Sequence, residues 1–284
     1  MSERWIVGVD GSDAAVTALR WAVEHAPSRE AELTALSAFH VPAVMSLFVA
    51  KRGFGVDEIG LAATAGHDAD VAIEQVASPQ TITPVVVEGQ AGHVLVDASE
   101  SADLLAVGQR GSGDLREHRL GSVSRYCATH GRSPVVVVPG DWVTHPAQRI
   151  VVGFDGSDNS AAALRWAIDF ARPGGAGVTV VAAMDVAPWL GERVTRERFG
   201  DEVAAQEQEL TAAIDAIDLE RRTERSLVLD TPRLALADAA RTADLVVVGA
   251  RGRGVIAAEL LGSVSTWLLQ DAIVPVAVVP DARR

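Results

Sequence analysis

The amino-acid sequence predicts an α/β fold made of two tandem, open, doubly wound parallel sheets of five strands each. Three observations predict it. Residues 7–22, VGVDGSDAAVTALRWA, return at 152–167 as VGFDGSDNSAAALRWA, an offset of 145, and VDAS at 96–99 returns as ADAA at 237–240, an offset of 141. Such self-similarity over whole halves of the chain marks a duplicated domain. Each half then alternates short, almost continuous Val/Ile/Leu runs with longer helix-like stretches, the pattern of a parallel sheet buried on both faces. Finally, the fourth run of each half opens into a glycine-rich stretch, VGQRGSGDLREHRLGSVS at 107–124 and VGARGRGVIAAELLGSVS at 248–265.

The elements follow in order. In the first half, WIVGVD is a strand ended by Gly11-Ser12, and Ser12 caps a helix whose apolar stripe is Ala15, Leu19, Ala22 and Val23. ELTALSAFHV is the second strand, and a less regular region at 42–56 leads to a helix near 57–77. TPVVVE is the third strand, 90–101 the third helix and DLLAVG the fourth strand. A helix from Ser122 to about His130 and the strand PVVVVP complete the half. The second half repeats the order with IVVGFD, GVTVVAAMDV, a helix at about 195–221, SLVL, DLVVVG and PVAVVP. The joint PGDWVTHPAQR at 139–149 reads as a linker, giving a first domain at 1–140, a linker at 141–148 and a second domain at 149–284. Trp21 and Trp166, in the repeated LRWA, read as core packing.

Composition removes several classes of function. Among 284 residues the formal net charge is −13, against the basic face of a nucleic-acid binder. Lys51 is the only lysine, which excludes a Walker A loop and leaves little room for lysine-based covalent catalysis. Cys127 is the only cysteine, so neither an internal disulfide nor a cysteine-based zinc cluster can form; it reads as a buried helix residue. All seven histidines precede residue 146, so a chemistry shared by the two halves does not use histidine, and a catalytic part for His118 is not expected. The N-terminal residues are too charged for a signal peptide, and no apolar run reaches the length of a membrane span, which points to the cytoplasm with no membrane partner.

In doubly wound sheets ligands sit beyond the carboxyl ends of the strands, at the switch in strand order. The glycine stretches fall there. Gly108, Gly111 and Gly113 permit a turn whose backbone approaches a ligand closely, and Gly121-Ser122 opens a helix whose first N–H groups lack partners. This is a phosphate site that needs no lysine. Ser122 and Ser124 can add hydroxyl donors, with the Val123 backbone between them. Gly249, Gly252, Gly254, Gly262, Ser263, Val264 and Ser265 repeat the arrangement. Asp10 and Asp155 end the first strand of each half, where a carboxylate can hold a ribose hydroxyl or a phosphate-bound Mg²⁺, or can serve as a helix cap. The flanking Gly8 and Gly153, and Gly11 and Gly156, complete that corner. Arg110 and Arg251 suit phosphate charge or a surface ion pair equally. Val41 and Val186 stand just past the second strand, where backbone groups can meet an adenine edge. A Rossmann fingerprint would need G-x-G-x-x-G after the first strand; that place reads G-V-D-G-S-D.

With these residues the chain resembles a tandem universal stress protein of the ATP-binding kind, whose signature G-x2-G-x9-G-S/T is met by Gly108, Gly111, Gly121 and Ser122 and again by Gly249, Gly252, Gly262 and Ser263. Asp10, Asp155 and the His40-Val41 step match as well, whereas Asp185-Val186 departs from the family's His-Val. The resemblance implies a Rossmann-like fold of the adenine nucleotide alpha hydrolase type. It places ATP and Mg²⁺ at the residues named above, with Val41 and Val186 on adenine, Asp10 and Asp155 on ribose and metal, and the glycines and serines on the triphosphate. It also implies pairing of the domains through their last strands, a homodimer of this internally pseudo-dimeric chain, and a part in stress response, dormancy and growth regulation through an unidentified protein partner. Gly89 in the first half faces Asp230 in the second, a difference that would set the two sites apart. The competing readings are a slow Mg²⁺-dependent ATP hydrolase, for which no shared base stands out, and a dimerising scaffold with vestigial pockets.

Overall fold

The computed structural model describes residues 2–40, 58–111, 120–184, 191–220, 222–253 and 260–281. The chain divides into two compact units, Met1–His145 and Pro146–Arg284. The first runs β1 (Arg4–Gly8), α1 (Asp13–His25), β2 (Glu32–Phe39), α2 (Glu58–Val76), β3 (Ile82–Glu88), α3 (Ala91–Ser99), β4 (Leu104–Gly108), α4 (Ser122–His130) and β5 (Val135–Val138). Its strands are all parallel, in the order β3-β2-β1-β4-β5. The second runs β6 (Arg149–Gly153), α5 (Asp158–Gly174), β7 (Gly177–Ala183), α6 (Gly191–Asp215), β8 (Thr223–Val228), α7 (Pro232–Ala240), β9 (Leu245–Gly249), α8 (Ser263–Asp271) and β10 (Val276–Val279). Its order, β8-β7-β6-β9-β10, is the same path. Each unit is thus the open doubly wound sheet that the alternation predicts.

In the first unit the chain moves outward from β1 through β2 to β3, then returns to lay β4 on the other side of β1. Val7 pairs with Ala35 on one flank and Ala106 on the other. The neighbouring strands' connections leave in opposite directions there, which opens a crevice above the ends of β1 and β4. β6 and β9 make the same switch in the second unit.

The central strands are dry because helices cover both faces. Val7, Leu105, Ala106, Val136 and Val138 are fully buried, as are Val152, Leu245, Val246 and Val247. Helix α1 is started by Ser12, whose Oγ accepts the Ala15 N–H at 3.2 Å, and Ser157 does the same for Ser160 in α5. Their apolar stripes bury Leu19 and Leu164 completely, each worth roughly 1.5–3 kcal/mol of burial. The tryptophans of the repeated LRWA diverge. Trp21 is buried and stacks on Trp5, ring centroids 6.0 Å apart. Ile150 occupies the place of Trp5 in the second copy, and there Trp166 is only half-buried, stacked on Phe170 of its own helix at 4.8 Å. Helix α6 starts earlier and ends sooner than the periodicity predicts, and it breaks at Phe199, where φ is −130° and ψ 32°. Strand β8 reaches back to Thr223, beyond the apolar run SLVL, because it pairs with β7 along its whole length. Among the described residues no helix is long and apolar enough to cross a membrane.

Candidate functional site

The crevice in the first unit holds a cavity of about 710 Å³. Its floor is the end of β1 (Gly8, Val9, Asp10) and the end of β4 (Val107, Gly108). One wall is apolar: Leu36 and Ala38 from β2, and Ala91 and Leu95 from α3. The opposite wall is polar, formed by Arg110, Gly111, Gly121, Ser122 and the first turn of α4. The cavity therefore accepts a ligand with one apolar, planar end and one anionic end.

The polar wall is built by the glycine stretch, whose two ends are clamped together. The Gly121 N–H donates to the Gln109 carbonyl at 2.9 Å, and the Ser124 hydroxyl donates to the same oxygen at 2.8 Å. In the second unit the Gly262 N–H donates to the Ala250 carbonyl at 2.9 Å, and Ser265 donates to the Gly249 carbonyl at 2.8 Å. These bonds make each stretch a loop closed at its base. They also commit the buried hydroxyl protons of Ser124 and Ser265, leaving Ser122 and Ser263 as the exposed hydroxyls at the mouth. Helices α4 and α8 have glycine N-caps, Gly121 and Gly262, at nearly identical backbone angles (φ −61°, ψ 153° and φ −61°, ψ 154°), and no side chain caps either. The amides of Ser122, Val123 and Ser124 thus face the crevice at the positive end of the helix dipole.

The framing glycines do different work. A Cβ on Gly108 would stand 2.7 Å from the backbone carbonyl of Ala14, and one on Gly249 would stand 2.8 Å from that of Asn159. A Cβ on Gly8 would meet Leu95 at 2.9 Å, and one on Gly153 would meet Leu236 at 3.1 Å. These four let helices seat against strand ends. Gly111 and Gly252 are different: their α-carbons lie against Oδ2 of Asp10 and of Asp155, with no room for a Cβ. The turn after the fourth strand is therefore folded over the carboxylate that ends the first. Gly11 and Gly156 hold φ near +76° and +77°, the left-handed turn that brings Ser12 and Ser157 round to cap.

Each carboxylate is engaged by its own turn. Asp10 Oδ1 accepts the Ser12 hydroxyl at 2.6 Å and its N–H at 3.2 Å. Asp155 Oδ1 accepts the Ser157 N–H and Oδ2 the Arg253 N–H, both at 3.0 Å. Burial raises the Asp155 pKa, but the hydrogen bonds from Ser157, Arg253 and Ser160 outweigh it and hold the carboxyl below its usual range. The surroundings of the two corners differ in sign. The Asp68 carboxylate lies about 3.0 Å from the Cβ position of Gly11, whereas the Arg253 guanidinium, held by Glu209 at 3.2 Å, lies across Gly156. A divalent cation bound to an anionic ligand suits the first corner better, where the Asp10 carboxylate just past β1 and the Asp68 carboxylate of α2 stand near the anion-binding wall. The fit is poorer beside the Arg253 guanidinium. Among the described residues no cluster of three or more metal-ligating side chains exists, so such an ion would depend on ligand phosphates for most of its coordination.

The arginines differ too. Arg110 lines the cavity, and its buried Nε has no hydrogen-bond partner among the described residues. Arg251, its counterpart, faces Asp281 with Nη2 to Oδ2 at 3.5 Å. Val41, Gly113, Val186 and Gly254 lie outside the described residues, as does His118. Gly89 leaves 2.7 Å between a Cβ and Val94, and Asp230 accepts the Thr231 N–H at 2.6 Å at the start of α7; Gly89 is not among the cavity's lining residues. Cys127 is fully buried, and burial pushes its thiol up to about 12, so it is no nucleophile. The apolar wall, Asp68, Glu209, Arg253 and Asp281 are not singled out by sequence pattern. Leu36 and Ala38 alternate along β2 as any core strand does, Arg253 is one charged residue among several in its glycine stretch, and Asp68, Glu209 and Asp281 come near the two corners from distant parts of the sequence.

The comparisons with known proteins agree on one family. The model of the universal stress protein family matches residues 1–139 and again 146–280. A universal stress protein of Mycobacterium tuberculosis H37Rv is 34% identical over 306 aligned residues, covering 98% of this chain and 96% of the relative. One from Mycolicibacterium smegmatis is 32% identical, covering 96% of each chain. Among solved structures, a universal stress protein of Archaeoglobus fulgidus superposes with a TM-score of 0.65 over 99% of this chain and 100% of its own, at 19% identity, a likeness of fold.

Proposed function

The chain belongs to the universal stress protein family, and from that premise we propose that it is an ATP-binding regulatory protein with one nucleotide pocket in each unit. The observation that carries the proposal is the cavity of about 710 Å³ that joins an apolar wall to an uncapped helix N-terminus. Its size lies within the range of small-molecule sites, roughly 300–1,000 Å³. In this reading adenine lies against Val9, Leu36 and Leu95, and the ribose turns toward Asp10. The triphosphate rests on the Gly111 turn, the Ser122 and Val123 amides, the Ser122 hydroxyl and Arg110. Asp155, Gly252, Ser263, Val264 and Arg251 take these parts in the second unit. Val41 and Val186 belong to the same assignment through their place after the second strand, and Gly113 and Gly254 through their place in the glycine stretch. Mg²⁺ would be held by Asp10 and the phosphates, and less readily by Asp155.

Regulation fits the site better than rapid turnover. Hydrolysis needs a group that positions and deprotonates water beside the terminal phosphate, and among the described residues neither corner offers a side chain that both units share for that part. ATP would act by changing what the surface presents to a protein partner. The same reading takes in a cytoplasmic homodimer acting in stress response, dormancy and growth control.

The test is to release bound nucleotide from freshly purified, undialysed protein and identify it by chromatography and mass, then to titrate nucleotide-free protein with ATP and Mg²⁺ by calorimetry. The expected result is ATP, with saturation at one nucleotide per unit. Recovery of ADP with steady phosphate release would favour the hydrolase, and no binding in either experiment would leave a scaffold with vestigial pockets.

A further inference from the structure

The two units carry the same arginine with different neighbours. Arg110 and Arg251 hold equivalent places in the glycine loop, between the first two framing glycines of each copy. Arg110 lines the cavity of the first unit, and its buried Nε has no hydrogen-bond partner among the described residues. Arg251 is drawn onto Asp281, whose carboxylate stands just past β10. The pair is well sheltered, the Arg251 side chain being 14% exposed and that of Asp281 25%, so solvent screens it weakly. The residue equivalent to Asp281, at the same offset of 141, is Gly140. After the last strand, then, the second copy sets a carboxylate against the arginine of its glycine loop, and the first copy has glycine at that position.

We propose that Asp281 is a built-in competitor for the polyphosphate of the ligand and makes the second unit the weaker of the two nucleotide sites. An incoming phosphate must share Arg251 with a carboxylate already beside it, and it is repelled by that carboxylate's charge. At the first site Arg110 meets the phosphate with no such rival from position 140. The chain then fills in order, the first unit at low nucleotide concentration and the second at higher concentration, with the affinities about five- to tenfold apart. Arg253 stands where the first unit's sequence has Ser112; it brings a further positive charge to the second site, little offset by its solvent-exposed pair with Glu209, and the effect of Asp281 is expected over and above it.

This inference rests on the nucleotide reading, and a reciprocal exchange tests it. Nucleotide-free full-length protein is titrated with ATP and Mg²⁺ by calorimetry, beside Asp281→Asn and Gly140→Asp, each checked for an unchanged melting profile. The first unit accepts the new side chain, because a Cβ on Gly140 meets nothing nearer than the Ala14 Cβ at 3.4 Å. The wild type should show two classes of site. Asp281→Asn should tighten the weak class about fivefold or more and leave the tight class alone, and Gly140→Asp should weaken the tight class by a similar factor. In an Arg251→Gln background Asp281→Asn should lose most of its effect. Two indistinguishable classes in the wild type, or a weak class indifferent to Asp281→Asn while ATP still binds, would overturn the proposal and leave the nucleotide reading standing. Absence of ATP binding from the wild type and both variants would overturn the nucleotide reading itself, and this inference with it.

Discussion

At the scale of single residues, the repeated glycines divide into two kinds that pattern alone does not separate. Gly108 and Gly249 are small because a helix backbone crosses them, and Gly111 and Gly252 because a carboxylate does. Backbone cannot yield and a side chain can, so the same substitution should have opposite readouts. Gly108→Ala should destabilise the first unit by about 1–3 kcal/mol, the usual cost of overpacking, seen as a lower melting temperature. Gly111→Ala should cost less than that in stability but push Asp10 aside, weakening ATP at the first site about tenfold or more by calorimetry. If Gly111→Ala binds ATP as the wild type does, the carboxylate and its turn are not part of the nucleotide site. The sequence showed which positions matter here, since all the framing glycines recur in both copies. It could not show why, because Ala14 and Asp10 are separated from Gly108 and Gly111 by roughly a hundred residues and meet them only once β1 and β4 pair.

At the scale of elements, the helix after the glycine loop was legible to the residue, and the division of labour between its two serines was not. Ser124 ties the first turn of α4 to the Gln109 carbonyl, while Ser122 stands exposed at the mouth. Ser124→Ala should lower the stability of the first unit by about 1 kcal/mol, one buried hydrogen bond, and weaken ATP only a few-fold. Ser122→Ala should leave the melt unchanged and weaken ATP about tenfold, a charge-assisted bond to phosphate. The reverse ranking in a calorimetric titration would exchange their assigned parts. Strand β6 and helix α5 add a pH dependence. The hydrogen bonds of Ser157, Arg253 and Ser160 hold the Asp155 carboxyl below its unfolded value despite burial. Its contribution is therefore complete above the unfolded pKa and fades as the pH falls below about 4 through the folded value. Asp155→Asn should flatten that part of the second unit's acid melting profile, and an unaltered profile would show that other carboxylates govern it.

At the scale of the whole chain, duplication made the fold easy to read. Order, length and spacing persist across both halves, so each weak strand or helix signal is supported by its copy. The non-equivalence of the copies was much less legible. Gly89 and Asp230 are the contrast that alignment of the halves puts forward, but Asp230 is occupied with the start of α7. A contrast that bears on the site is Gly140 against Asp281, and it matters only because folding carries Asp281 to Arg251 of the glycine loop. The proposed inequality of the two nucleotide sites would have a consequence for stability that needs no knowledge of the protein partner. A ligand that binds only the folded unit adds RT ln(1 + [L]/Kd), about 2.7 kcal/mol at a hundredfold excess over Kd. As ATP is raised in a series of calorimetric melts, the first unit should gain its increment before the second does. In Gly111→Ala the early increment should vanish and the late one remain, and in Asp281→Asn the late one should move to lower ATP. A single increment that all three proteins share at the same ATP concentration would mean that the units fill as equals, and the charge at position 281 would then have no bearing on which fills first.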